Sequence, residues 1–324
     1  MVTGDGRMTR SAAHNTVWAA LLGNLLVAIT KLVAALLSGS SAMLSEAFHS
    51  IVDTGNEALL LHGMRRSRRA PDIEHPYGYG RELYFWSFIV ALLLFGVGGL
   101  ASIVGGIDHV GHPHPVDRAG VVYVVLALSV VFEGSSWLVA RKGFRPFVGE
   151  SGYLAAIRSS KDPPQFVVLL EDTAALIGIA IAFAGTWASV HWREPRLDGY
   201  ASIAIGGLLS AVSILLARES KGLLIGEQAD LRLEEDVFAI ARSTGGVVCP
   251  NGVVSAQLAP DRVVVALSIK FENQLTTPEI ERIVVAMESR VREAQPQVFV
   301  LYVKPQSLES FAAGQRRIRG TGES

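Results

Sequence analysis

Long apolar stretches occupy the first two thirds of the chain. A helix needs about 20 mostly apolar residues to cross the hydrocarbon core of a bilayer. The chain is 50% hydrophobic and only 18% charged, and average soluble chains carry about 25% charged residues. Six stretches have about the required length: residues 17–37, 42–63, 84–107, 119–140, 166–190 and 200–217. The sequence therefore predicts an α-helical polytopic membrane protein with six transmembrane helices in a lipid bilayer.

Basic residues predict the orientation of these spans. Lys and Arg collect in cytoplasmic loops, and here they collect in residues 65–81 and 141–161, after the second and fourth spans. The N-terminal segment adds Arg7 and Arg10. We expect both termini in the cytoplasm, with residues 1–13 as a cytoplasmic segment and residues 14–218 as the transport domain. No cleavable signal peptide or eukaryotic targeting segment is evident, which favours the bacterial inner membrane.

The pattern of the last hundred or so residues is typical of a small soluble domain. Their charge density is higher and their apolar runs are shorter than in the preceding spans. The pattern predicts, in order, a helix at 233–243, strands at 253–258 and 263–271, a helix from Thr277, and a strand at 297–303. This order predicts a small ferredoxin-like α+β domain over residues 219–308, followed by a disordered tail over 309–324.

Composition excludes several functions. The net charge of −1 offers no basic surface for nucleic acid. Cys249 is the single cysteine, so a disulfide within the chain is impossible and a metal site must use histidine and carboxylates. No ATP-binding or HExxH motif occurs. The missing ATP-binding motif argues against primary energy coupling within this chain. We predict that the protein is not an enzyme and holds no cofactor.

The second span is unusually polar. Glu46, His49, Asp53 and Glu57 lie in its apolar zone, where an Asp costs roughly 2.5–3.5 kcal/mol on insertion scales. His49 and Asp53 are four residues apart and share one helix face. An imidazole beside a carboxylate suits Zn²⁺ and similar ions. The spacing predicts His49 and Asp53 as metal ligands, with Glu46 and Glu57 as possible residues of the ion pathway.

A second helix must supply further ligands. The fifth span offers Glu171 and Asp172, and the fourth offers Glu133. Adjacent residues point about 100° apart on a helix, so we expect only one of Glu171 and Asp172 to face the site squarely. Asp172 is the first choice. Glu171 and Glu133 could instead hydrogen-bond between helices.

Other polar residues in or near the spans have simpler interpretations. Lys31 is expected to snorkel or to form a pair. Asn24 and Asn56 are expected to bond between helices. A group of histidines follows the third span, either as an exposed loop or as a weak metal site on the exit side: His109, His112 and His114.

Four segments resemble the cation diffusion facilitator family. Residues 38–53, SGSSAMLSEAFHSIVD, resemble its second helix and the preceding turn, and residues 219–230, ESKGLLIGEQAD, resemble its link into the tail domain. The segments HPYGYGR before the third span and LEDTAA in the fifth are similar to a divergent branch. The resemblance covers nearly the whole chain.

The resemblance implies a homodimer that exchanges Zn²⁺ or a related ion for protons. The family's central site takes an HxxxD pair from the second helix, here His49 and Asp53, and usually another from the fifth. In the fifth helix Asp172 matches, but Val168 holds the histidine position. The fourth ligand could be Glu171, Glu133 or water, and a site with more oxygen ligands favours Mn²⁺ or Fe²⁺. The tail has no histidine, so a metal site of the family type is not expected there.

These observations predict efflux of divalent transition-metal ions in exchange for protons. The ion would be Zn²⁺, or else Mn²⁺, Fe²⁺, Co²⁺ or Cd²⁺, with His49 and Asp53 also carrying the proton coupling. The alternatives are a transporter of a non-metal cation, an intramembrane metal-dependent enzyme, and a membrane scaffold or regulator that transports nothing.

Overall fold

A computed structural model describes residues 23–148 and 152–320. The predicted segment 1–13, the start of the first span and the last four residues lie outside this range. Ten helices and three strands are described: α1 Gly23–Ser38, α2 Ser41–Ser67, α3 Glu82–Gly111, α4 Ala119–Phe144, α5 Gly152–Ser159, α6 Pro163–His191, α7 Arg196–Ile225, α8 Leu231–Arg242, β1 Val247–Ala259, β2 Arg262–Phe271, α9 Thr277–Ala294, β3 Val298–Pro305 and α10 Leu308–Gly320.

The chain divides into two compact units. The first comprises the chain up to Arg69 together with Glu82–Lys221, and the second comprises Ala70–Arg81 together with Gly222–Ser324. The loop Ala70–Arg81 thus belongs with the tail, although the sequence placed it inside the transport domain. The remaining boundary falls at Lys221, three residues beyond the predicted one.

The first unit is a bundle of apolar helices. Four of its helices are long and apolar enough to cross a membrane: α3, α4, α6 and α7. Helix α1 is shorter over the described residues. Helix α2 has 27 residues and is more polar than the other helices of the bundle. Its buried side chains include Glu46, His49 and Asn56. These six helices correspond to the six predicted spans, and the predicted class of α-helical polytopic membrane protein is confirmed.

Helix α4 shows how the bundle meets its surroundings. Its outward face carries exposed apolar side chains, among them Val124, Val131, Phe132 and Val139. A soluble protein rarely exposes so continuous an apolar face. In a bilayer this apolar face carries no free-energy penalty, because lipid tails cover it and the backbone hydrogen bonds are made within the helix.

Helices α3 and α7 approach closely through paired glycines. A Cβ at Gly106 would lie 2.7 Å from the carbonyl oxygen of Gly199, and a Cβ at Gly206 would lie 2.7 Å from that of Gly99. Such separations leave no room for a side chain. Small residues at this spacing let membrane helices pack backbone to backbone. Helix α3 also contains a π-helical turn over Leu94–Leu100.

In the second unit, helices and sheet share one core. Strand β1 pairs antiparallel with β2, and β2 pairs parallel with β3. Alternate residues of β2, from Val263 to Phe271, are buried, as a strand covered on one face requires. They pack with Val237 of α8 and Met287 of α9. The predicted order of helix, strand, strand, helix and strand is confirmed.

The end of the chain differs from the prediction. Disorder over 309–324 is wrong for the described residues, because α10 covers Leu308–Gly320. Its Phe311 lies against Gly252 of β1, where a Cβ would meet the ring. An aromatic side chain that finds an apolar surface offsets the entropy of ordering the helix.

The loop Ala70–Arg81 is ordered by its own side chains and by the tail. The Tyr79 hydroxyl donates to Asp72 over 2.6 Å, and the backbone N–H of His75 donates to it over 2.7 Å. These bonds hold the pKa of the Asp72 carboxyl below its usual range. The hydroxyls of Tyr77 and Tyr302 share a bond of 3.1 Å. A Cβ at Gly80 would meet the carbonyl oxygen of Leu258 at 2.7 Å.

The glycine packing generates a test with a neighbouring control. Gly106→Ala inserts a methyl group against the backbone of α7, and we expect a loss of about 1–3 kcal/mol of stability from overpacking. Gly105→Ala meets nothing within 4 Å and should leave stability unchanged or raise it by up to about 1 kcal/mol through helix propensity. Thermal unfolding in detergent compares the two. Equal midpoints would show that α3 and α7 do not pack through Gly106.

Candidate functional site

The polar helix α2 is fixed at its start by a buried cap. Gly39, with φ +66°, turns the chain out of α1 in a conformation that favours glycine. The Ser40 hydroxyl then accepts from the N–H of Met43 over 3.1 Å. The buried Asp198 of α7 accepts from the Ser40 hydroxyl over 2.8 Å and from the N–H of Ala42 over 3.1 Å. A carboxylate at a helix N-terminus also complements the helix dipole.

His49 and Asp53 lie one turn apart on α2, as their spacing predicts. His49 Nε2 and Asp53 Oδ2 are 3.5 Å apart, and the side chains are 0% and 18% exposed. This separation is too long for a well-formed hydrogen bond. Both ring nitrogens of His49 and Oδ1 of Asp53 have no hydrogen-bond partner among the described residues. Burying polar atoms without hydrogen-bond partners costs free energy, so we expect this pair to bind a ligand or a proton.

A polar cavity of about 40 Å³ lies beside Asp53, between α1, α2, α4 and α6. That volume suffices for one small ion or a few waters. Five acidic side chains line it: Asp53, Glu57, Glu133, Glu171 and Asp172. His49 and Glu46 do not line it. Apart from Glu46, the structure brings together every acidic residue that the sequence singled out within the spans.

Both acids of the fifth span line the cavity, although their side chains bond in different directions. The Asn56 amide of α2 donates to Glu171 over 2.6 Å, while the Ser136 hydroxyl of α4 donates to Asp172 over 2.8 Å. The two carboxylates point to different neighbouring helices and flank one cavity that lies between those helices. Val168, one turn before Asp172, lines the same cavity.

Three further acids are held by partners on α1. Asn24 donates to Glu57 over 2.6 Å, so both asparagines bond between helices as predicted. Lys31 pairs with Glu46 at 3.2 Å and with Glu133 at 3.4 Å. The lysine is fully buried, so of the two predictions for it, pairing is confirmed.

The arrangement is rich in carboxylate oxygens and poor in nitrogens. Such a set attracts divalent cations electrostatically, and the nearby imidazole adds affinity for borderline ions. Over residues 23–148 and 152–320, no three histidine, cysteine or acidic side chains already stand close enough to hold a metal ion. An ion at this cavity would therefore draw the side chains together as it binds.

The histidines after the third span form no such group either. The buried His109 contacts the carbonyl oxygen of Pro195 through Nε2 at 3.2 Å, and its ring centroid lies 4.3 Å from that of His114. His112 is exposed and contacts Asp108 at 3.2 Å. Within the described chain they are a pair and a separate residue.

Sequence reasoning missed the partners that hold the site. Ser136 and Asp198 carried no prediction, although both are polar side chains at the edge of or within apolar spans. Their position in or beside apolar spans could have indicated a structural role, because a polar group in a membrane helix needs a hydrogen-bond partner. Which carboxylate each would meet depends on helix rotation, and periodicity alone does not give it.

Apolar helices around an acidic cavity define a multi-pass membrane protein with a site suited to cations. The family profile of the cation efflux transmembrane domain matches residues 17–225. The chain therefore belongs to the cation efflux, or cation diffusion facilitator, family. Members of this family are transporters rather than enzymes.

Several characterised proteins are similar in sequence. Metal tolerance protein C4 of Arabidopsis thaliana is 33% identical over 265 residues, 81% of this chain and 58% of that protein. The mitochondrial proton-coupled zinc antiporter SLC30A9 of Xenopus laevis is 32% identical over 76% of this chain and 44% of that protein. The chain thus spans about half the length of these two relatives. Magnetosome protein MamB of Magnetospira sp. (strain QH-2) is 25% identical over 88% of this chain and 94% of that protein.

The position of Val168 generates a test of the cavity as a metal site. Val168→His places an imidazole four residues before Asp172, in a cavity that Val168 already lines. We expect Zn²⁺ to bind at least about tenfold more tightly relative to Mn²⁺, because imidazole suits zinc better. Val168→Leu is the control for added bulk. Calorimetry on the purified protein measures both ions, and an unchanged ratio of affinities would contradict a site at this cavity.

Proposed function

We propose that this protein moves divalent transition-metal ions across its membrane in exchange for protons. The observation that carries the proposal is the acidic cavity between α2, α4 and α6, beside a His49–Asp53 pair whose buried atoms lack partners among the described residues. Ionisable groups inside a membrane are expensive and mark ion pathways. A scaffold without transport would have no use for five carboxylates lining one cavity.

The proposed ligands come from two helices. His49 and Asp53 on α2 and Asp172 on α6 form the core of the set. Glu171 is the favoured fourth ligand, because one oxygen of Glu133 already contacts Lys31. Glu57, which lines the same cavity towards the basic end of α2, would lie on the path of the ion. Glu46 lies outside the cavity and is paired with Lys31, so we do not place it on the path.

Proton exchange follows from the chemistry of these ligands. A metal ion binds neutral imidazole and ionised carboxylate, so metal and protons compete for the same groups. His49 and Asp53 would exchange their protons for the ion on one side of the membrane and recover them on the other. Movement of helices that exposes the cavity to each side in turn would complete the cycle.

The choice of ion rests on donor chemistry and on similarity. The relative from Xenopus laevis is described as a proton-coupled zinc antiporter, which supports Zn²⁺ and proton exchange. Val168 leaves the site with one imidazole where two would be usual for the family, and additional oxygen ligands favour Mn²⁺ or Fe²⁺. We propose Zn²⁺ as the first ion to test, with Mn²⁺ and Fe²⁺ next and Co²⁺ and Cd²⁺ after them.

The setting of the protein is part of the proposal. Basic residues at the ends of α2 and α4, such as Arg65, Arg66, Arg141 and Lys142, support a cytoplasmic position for those ends and for both termini. We propose a homodimer in the bacterial inner membrane.

Flux into proteoliposomes tests the function directly. An imposed proton gradient should drive uptake of Zn²⁺, or of Mn²⁺ or Fe²⁺, into vesicles that contain the purified chain. Asp53→Asn and Asp172→Asn each remove a charged ligand, so each should lower the initial rate at least about tenfold, the scale on which even outer-shell changes act on metal sites. A fluorescent chelator inside the vesicles reports the rate.

Asp108→Asn is the matched control. Asp108 is a carboxylate on α3, exposed and paired with His112 away from the cavity, and its loss should leave the rate unchanged. Transport that survives at the full rate in both cavity variants would place the pathway elsewhere. A folded wild-type protein that moves none of the ions would favour a scaffold or regulator.

A further inference from the structure

A buried lysine contacts the wall of the proposed metal cavity. Lys31 of α1 is fully buried in the first unit. Its Nζ donates to Ser50 Oγ over 2.7 Å, to Glu46 Oε2 over 3.2 Å and to Glu133 Oε1 over 3.4 Å. An ammonium group has three N–H donors, and each has an acceptor here. The geometry is that of a charged lysine bound on all sides.

Two of these acceptors also line the cavity. Ser50 and Glu133 belong to its wall, whereas Glu46 does not. The ammonium group therefore contacts two residues of the cavity wall, although Lys31 itself does not line the cavity. A fixed positive charge so near a cation site weakens cation binding, because Coulomb interactions are strong where water is scarce.

The contact also engages a carboxylate that could otherwise act as a ligand. Glu133 lines the cavity with Asp53, Glu171 and Asp172, but its Oε1 contacts Lys31. A carboxylate engaged with an ammonium has less charge to offer a metal ion. A divalent ion that recruits Oε1 of Glu133 must draw this oxygen away from the lysine, and separating a charged pair that is largely out of water is costly.

We propose that Lys31 is a specificity-determining residue, an internal counter-ion that holds Glu133 out of the ligand set. With Glu133 engaged, the site offers His49 and a limited number of oxygens, which favours Zn²⁺. Release of Glu133 adds a hard oxygen ligand, and such ligands suit Mn²⁺. Lys31 thereby limits both the affinity of the cavity and its preference for Mn²⁺. This inference rests on the proposed function.

Neutralising Lys31 tests the inference at equilibrium. Lys31→Met keeps the length of the side chain and removes the charge. We expect the Kd for Mn²⁺ to fall at least about tenfold, a change of about 1.4 kcal/mol, and the Kd for Zn²⁺ to fall less. Lys31→Arg keeps the charge and should keep the preference of the wild type. Calorimetry on the full chain in lipid nanodiscs measures both constants.

Two charge-balanced double variants separate specificity from folding. Lys31→Met/Glu46→Gln removes the lysine with the partner outside the cavity, and leaves Glu133 free. Lys31→Met/Glu133→Gln removes it with the partner in the cavity wall. Each loses one positive and one negative charge, so a purely structural role of Lys31 predicts no gain in Mn²⁺ affinity over the wild type in either variant. The proposal predicts the gain in Mn²⁺ affinity only in the variant that retains Glu133.

The outcomes for the inference and for the proposed function are distinct. A wild-type protein that binds no divalent ion would overturn the proposed function. A wild-type protein that binds and transports Zn²⁺, with no gain in Mn²⁺ affinity or in the Mn²⁺ to Zn²⁺ ratio in the double variant that retains Glu133, would overturn only the role of Lys31. A gain confined to the variant that retains Glu133 supports it.

Discussion

The structure depends on how a membrane-embedded bundle accommodates buried charge. Helix α2 would be unfavourable in hydrocarbon alone, and it is tolerated because other helices shield it and supply partners. Asn56 holds Glu171, Ser136 holds Asp172, and Lys31 holds Glu46. Each contact joins two different helices. The same contacts that lower the cost of burial therefore fix the helices around the cavity.

The two sides of the bundle are held together by different forces. Helices α3 and α7 meet through glycines, where backbone approaches backbone and no side chain intervenes. Helices α2, α4 and α6 meet around side-chain hydrogen bonds and a polar cavity. Hydrogen bonds between membrane helices contribute modestly, about 0.6 kcal/mol on average, and can exchange partners. An ion that draws carboxylates together would rearrange this side and leave the glycine contacts unchanged.

The sequence predicted the spans well, because long apolar runs have few alternatives in a chain this poor in charge. The helices are longer than those runs: α6 begins at Pro163 and α7 ends at Ile225. The additional turns contain polar residues, which an apolar run does not include. Spacing along one helix predicted the His49–Asp53 pair. It could not predict which helix each acid would face, because that depends on the rotation of α4 and α6. The spacing of residues also could not predict that Ala70–Arg81 groups with the tail, because contacts such as that of Tyr77 with Tyr302 join residues far apart in sequence.

An acid-rich site in a transporter faces a conflict between capture and release. Five carboxylates in a small cavity attract a divalent ion strongly, yet an ion that cannot leave is not transported, so binding must be limited as well as favourable. Removing acids would limit it, but would also remove the groups that exchange protons for the ion. A buried cation in contact with the cavity wall limits ion binding and keeps the proton-exchanging acids, because its positive charge repels the ion. The three contacts of Lys31 place a lysine at such a position.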